Sequence, residues 1–127
     1  MSDEGERERL RRINSLRLNW HERLIADPAL HKWAGALAFG GLVLHRFHVN
    51  LGYAEISMAF AAKRLHMPES TVRRGRDLLL LRHWIIRREN PRRALPGGPW
   101  AGTLYALGNG PDDVILDEEG SEEDEVE

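Results

Sequence analysis

The 127 residues contain no cysteine, so neither a disulfide framework nor a thiolate ligand or nucleophile can account for fold or chemistry. A reducing compartment is compatible with that absence. Long hydrophobic runs are missing as well. The longest, AGALAFGGLVL from Ala34 to Leu44, has eleven residues and three glycines, whereas a bilayer-spanning helix needs about 20 apolar residues. Nothing resembles a signal peptide, because the first twelve residues are dominated by charge. The expectation is a soluble, cytoplasmic protein with no membrane partner. Catalytic patterns are equally scarce. No nucleophile–base arrangement, paired-carboxylate signature or phosphate-cradling glycine loop is present, and Gly97-Gly98 sits among prolines where a turn explains it. His45 and His48 lie three apart, with His31, His66 and His83 elsewhere, and no spacing matches a metal site. No enzyme activity, cofactor or metal is therefore expected.

What is present suffices for one small domain with tails: 42% of the residues are hydrophobic. The formal net charge of −2 conceals a strong asymmetry. All 18 Lys and Arg lie between Arg7 and Arg93. Residues 1–107 balance them with ten acids, a net of +8, while residues 108–127 hold ten acids and no base, a net of −10. Such a division points to a nucleic-acid-binding body with an acidic appendage.

The stretch from Ser57 to Trp84, SMAFAAKRLHMPESTVRRGRDLLLLRHW, organises the chain. It divides into a short apolar helix over 58–65, a tight connection through His66, Met67 and Pro68, and a second helix from Glu69 to about Arg82. Ala61, Leu65, Val72 and Leu79 are spaced to pack the two helices together, with Met67 plugging the turn. Ser57 suits a helix cap, Pro68 a helix start, and Glu69 the positive end of the helix dipole. This is the spacing of a helix-turn-helix, and its second helix carries Arg73 and Arg74 away from the apolar side. Trp84-Ile85-Ile86 then reads as a strand, residues 87–102 (RRENPRRALPGGPWAG) as a loop, and residues 103–107 (TLYAL) as a returning strand. Strand, basic loop and strand make a hairpin with a long connection, a wing.

Residues from about Trp20 to Leu107, 88 of the 127, resemble the winged helix-turn-helix domains of bacterial, plasmid and phage DNA-binding and replication-initiator-type proteins. The resemblance is carried by a helix starting near Asp27-Pro28, the Leu65/Met67 turn, the Thr71-Val72-Arg73-Arg74 run, the Trp84-Ile85 strand and the closing Tyr105-Ala106-Leu107. One departure stands out. Such domains often have Gly where this chain has His83, and Gly takes a left-handed cap conformation more cheaply than His. The resemblance implies a mainly α fold with a small β hairpin (α+β), a winged helix-turn-helix over 19–108; by composition a charged segment 1–18 precedes it and a disordered acidic tail 109–127 follows it.

Upstream, Asn19 is expected to cap a short helix over 20–26. Asp27 is expected to cap a longer helix with Pro28 at its first position, running to about residue 48, its core face made by Leu30, Trp33, Ala34, Leu37, Leu44 and Phe47. Gly35, Gly40 and Gly41 each cost up to about 1 kcal/mol in a helix relative to Ala, which calls for either close packing or a bend. A turn at residues 50–53 leads to an edge strand over 54–56 that joins the hairpin.

Ten of the 18 bases lie between Ser57 and Arg93 against three acids, a local balance of +7. Arg73 and Arg74, with Ser70 and Thr71 in the first turn of the second helix, are expected to reach base edges and nearby phosphates in a major groove. Arg87, Arg88, Arg92 and Arg93 in the wing, and Lys63 and Arg64 closing the first helix, are expected to meet the DNA backbone. Arg76 is read instead as a structural partner of Asp77 or Glu69. The anticipated partner is double-stranded DNA, bound by a homodimer and placing the protein at the nucleoid, in transcriptional regulation or in plasmid or phage replication or maintenance. The acidic tail reads as a solubilising segment, as a DNA mimic that folds back on the arginines, or, through Val114-Ile115-Leu116, as a docking motif for a protein partner. The competing class is a protein–protein module without DNA binding, in which Trp33, Phe39 and Trp100 form the contact surface.

Overall fold

A computed structural model of the chain describes residues 3–98 and 101–111. It is mainly helical, with a small three-stranded antiparallel sheet. Four helices, α1 (Asp3–Ile25), α2 (Ala34–Arg46), α3 (Met58–Leu65) and α4 (Glu69–Leu81), are joined by strands β1 (Ala54–Ile56), β2 (Ile85–Arg88) and β3 (Thr103–Leu107) in the sheet order β1-β3-β2. The hairpin register pairs Ile85 with Leu107 and Arg88 with Leu104, and the edge strand pairs Ala54 with Tyr105.

The helix pair α3–α4 forms as its spacing predicts. Ser57 caps α3 by accepting the Phe60 N–H at 3.1 Å, and His66 turns the chain in the left-handed region (φ 55°). Ala61, Val72 and Leu79 are fully buried, and Leu65 and Met67 pack against them. His83 also takes a positive φ, 62°. That conformation lets the Trp84 N–H reach the Leu79 carbonyl at 2.9 Å and offers the His83 carbonyl to Gly110 at 2.9 Å. The departure from Gly is thus accommodated by the same backbone geometry, and closing hydrogen bonds offset its strain.

The first third of the chain differs from expectation. Residues 3–25 form one continuous helix, joining the charged segment to the short helix expected over 20–26, so the boundary expected after residue 18 falls inside α1. Its first turn carries Asp3, Glu4 and Glu6, which favour a helix N-terminus, and Glu6–Arg9 and Glu8–Arg11 pair along its surface at 2.7 and 3.5 Å. Its second half is anchored in the core. Trp20 and Leu24 are buried, and the Trp20 indole donates to the Trp84 carbonyl at 2.9 Å.

The long helix expected over 28–48 is also corrected. Asp27 caps a single 3-10 turn, Pro28–Leu30, and α2 starts only at Ala34. Two anchors pull this segment in different directions: Leu30 and Asp27 are fully buried, while Gly35 lies directly on α4. The chain breaks between them, at Trp33 (φ −120°, ψ 82°). The helical register therefore differs. Ala36, Phe39, Leu42 and Val43 form the core face of α2, whereas Trp33 and Ala34 are exposed.

Gly35 and Gly40 resolve in favour of close packing, whereas a Cβ at Gly41 would meet nothing within 4 Å. A Cβ at Gly35 would meet the Thr71 carbonyl oxygen at 2.5 Å, and one at Gly75 would collide with the Gly35–Ala36 backbone. Gly40 faces Leu24 across α1. Helices α2 and α4 thus cross backbone to backbone. Gly75→Ala is expected to lower stability by about 1–3 kcal/mol through overpacking, although alanine is the better helix former by about 1 kcal/mol. Thermal unfolding followed by circular dichroism checks this, and an unchanged or raised Tm contradicts it.

The acidic residues from 112 onward and Trp100 lie outside the described residues, so the expectations placed on them do too. Among the described residues, no helix is long and apolar enough to cross a membrane.

Candidate nucleic-acid interface

Three local devices position the basic residues. The first is the α2–α4 crossing. With Val72, Gly75 and Leu79 facing inward, the opposite side of α4 presents Glu69, Ser70, Arg73 and Arg74 to solvent. Thr71 is half-buried, its backbone and methyl group against Gly35. Arg73 pairs with Glu69 one turn earlier at 2.7 Å, an exposed i,i+4 pair worth only about 0.3–0.5 kcal/mol. Arg74 has no ion pair among the described residues, and Lys63 and Arg64 stand exposed in the last turn of α3. Arg76 behaves as expected of a structural residue. It is mostly buried and bonds to Asp77 at 2.8 Å.

The second device is a buried polar hub at the C-terminal end of α4. The Asp27 carboxylate, fully buried, accepts Arg82 through Nε at 2.7 Å and Nη2 at 2.9 Å, the Trp84 indole N–H at 2.7 Å and the Ala29 N–H at 3.1 Å. Burial by itself would push this carboxyl up. The hydrogen bonds from Arg82, Trp84 and Ala29, with the charge of Arg82, outweigh it and hold the pKa below the ordinary aspartate range. The hub ties the turn after α1 to the end of α4 and the entry of β2, so it sets where α4 points.

The third device organises the hairpin connection, where the residues expected as a loop from 87 onward include strand and a 3-10 turn. Strand β2 runs on through Arg88, and Asn90 caps a 3-10 turn, Pro91–Ala94, by accepting the Arg92 N–H at 3.0 Å. The buried Asn90 amide also donates to the Gly102 carbonyl at 2.8 Å, bracing one arm of the loop on the other. Arg92 is clamped in bidentate fashion by Glu55 of β1, at 2.8 and 2.9 Å, and Arg93 donates to the Ala101 carbonyl at 3.3 Å. Arg87, Arg88 and Arg93 share an open depression of about 650 Å³ with Glu89, Asn90 and Thr103.

The expected site residues therefore fall into two groups, one on α3–α4 and one on the hairpin. No hydrogen bond joins the two groups among the described residues. Within the second, Arg87, Arg88 and Arg93 come together, whereas Arg92 faces Glu55 and is partly neutralised. No family model, no curated protein and no solved structure matches this chain. The reading of the site accordingly rests on its own geometry. Sequence reasoning missed Asn90, Glu55 and the full role of Asp27. An Asn just before a Pro in a loop is a visible cap signal. The partners of Glu55 and Asp27, 37 and 55–57 residues away, leave no local signature. Among the described residues no three His, Asp or Glu side chains converge as a metal site.

Proposed function

We propose that this chain is a winged helix-turn-helix protein that binds double-stranded DNA, reading the major groove with α4 and the phosphate backbone with the hairpin arginines. The observation that carries the reading is the placement of α4. It is fixed from behind by the Gly35–Gly75 crossing, held at its far end by Asp27, and left open along Ser70, Arg73 and Arg74. A helix held that rigidly, with guanidinium groups near its N-terminal end, fits a groove about 12 Å wide. A sheet in the order β1-β3-β2 with a braced, arginine-bearing loop supports the wing assignment. One helix reads few base pairs, so the working form is a homodimer on a two-fold site. Regulation of transcription and plasmid or phage replication or maintenance are the roles that such binding serves.

The rival reading, an interaction module, loses one of its three aromatic contacts because Phe39 is fully buried against Tyr105, ring centroids 5.4 Å apart. The two readings differ in salt dependence. Titrating the full-length protein against labelled random duplex by fluorescence anisotropy at two salt concentrations is expected to give a steep fall in affinity. The slope of log K against log salt is about −0.9 per phosphate neutralised. No binding at low salt overturns the DNA reading.

A further inference from the structure

The described chain leaves the fold at a defined place. Gly108 donates to the Trp84 carbonyl and Gly110 to the His83 carbonyl, both at 2.9 Å, and the Asn109 carbonyl accepts Arg23 Nη2 at 2.7 Å. Gly110, at φ 79°, lies so close to the Trp84 ring that a Cβ would strike it. Pro111 therefore exits beside the C-terminal end of α4. Two Cα steps of about 3.8 Å separate His83 from Leu81.

Leu81 is 74% exposed and Trp33 47%, and with Leu78 they line an apolar hollow of about 290 Å³ whose rim carries Arg74 and Asp77. Asp77 is offset by Arg76. The residues after the exit, 112–127, carry ten acids and no base, and their one aliphatic run is Val114-Ile115-Leu116, three to five positions beyond Pro111. At about 3.3 Å per extended residue that run reaches about 10–17 Å from Pro111. At about 1.5 Å per helical residue, Leu78 lies about 8 Å and Arg74 about 14 Å back along α4 from His83. The spans match.

We propose that the acidic tail folds back on its own α4, seating Val114-Ile115-Leu116 in the Trp33–Leu78–Leu81 hollow and bringing Asp117, Glu118 and Glu119 to Arg74 and Arg73. The apolar run fixes the register, and the acids meet an arginine that has no ion pair among the described residues. A second hollow, lined by Ile13, Leu16, Phe47 and Leu107, opens beside Asn109 and is as near to the exit. Its arginines are already engaged, Arg17 with Asn14 and the Leu44 carbonyl and Arg23 with the Asn109 carbonyl. The docking stands independently of the proposed function. Its consequence, that the tail competes with DNA for α4, rests on that function.

Because the native chain has no cysteine, an engineered pair reports the docking directly. The full-length L81C/I115C variant is expected to close an intramolecular disulfide about tenfold faster than L16C/I115C, through the higher effective concentration of docked thiols. Equal rates, a faster bond to position 16, or a covalent dimer in place of a monomer overturns the proposal. Ile115→Asp in the full chain, or truncation after Pro111, is then expected to tighten binding to random duplex about three- to tenfold at low salt, where a tail of this charge competes best. Fast closure of the first pair with no duplex binding by any variant supports the docking and removes the DNA reading instead.

Discussion

Replacing Asp27 by alanine is expected to cost about 3–5 kcal/mol of folding stability, because it removes the buried carboxylate that joins Arg82, the Trp84 indole and the Ala29 N–H. Against a total of about 5–15 kcal/mol for a typical small domain, that is enough to unfold a substantial fraction of the chain. The identity of the damage is testable through Asp27→Asn. Both carboxylate oxygens are used twice, one by Arg82 Nη2 and the Ala29 N–H, the other by Arg82 Nε and the Trp84 N–H. Asparagine supplies one such oxygen and turns an NH2 group towards two donors, so it is expected to be nearly as damaging as alanine. Urea midpoints of the three proteins measure this; a loss below about 1 kcal/mol for either variant contradicts the hub. The pH dependence has a definite sign. The folded-state pKa lies below the unfolded one, so the contribution of Asp27 is complete above the ordinary aspartate pKa of about 3.9. It is lost as the pH falls through the folded value. Wild-type stability should therefore decline on acidification below about pH 4, and the part of that slope due to Asp27 should vanish in Asp27→Asn.

The segment from Ser57 to Leu81 is legible in the sequence because everything that shapes it is local: a serine cap, an apolar repeat of helical period, and a proline at the second start. The three strands are legible for the same reason, since β-branched and aromatic runs flank turn-forming residues. The start of α2 is not. Asp27-Pro28 has the form of a helix start, and the structure does use it to begin a turn, but only a 3-10 one. What ends that turn is Gly35 lying on Thr71, a contact between residues 36 positions apart. Likewise the arginines are visible as a cluster, whereas their inequality is not. Glu55 lies in an edge strand and removes Arg92 from the free set, and nothing near Glu55 in sequence announces that. Charge dominates residues 1–12 and leaves no apolar stripe to mark a helix, yet from Asp3 onward Glu–Arg pairs of helical spacing run along α1.

That inequality shapes how the proposed DNA binding is expected to respond to neutralising the arginines. Arg73→Ala and Arg74→Ala are each expected to cost about 1–3 kcal/mol on a selected target and to relax preference among sequences. The double variant should lose at least about 2 kcal/mol, roughly 30-fold in Kd. Arg74 should matter more, since Arg73 must first leave Glu69. Arg93→Ala, by contrast, is expected to weaken binding to all duplexes alike and to reduce the salt slope by about 1, the effect of one lost phosphate contact. Arg92→Ala should reduce that slope by less, because Glu55 already holds and neutralises its guanidinium. Glu55→Gln should then raise affinity for random duplex, as it frees Arg92 without moving α4. Anisotropy titrations of these variants on selected and random duplexes, each at two salt concentrations, separate the contributions. If Arg73→Ala and Arg74→Ala left both affinity and sequence preference intact, α4 would not be the reading helix. If all four arginine variants changed selected and random binding equally, the protein would hold DNA by charge alone.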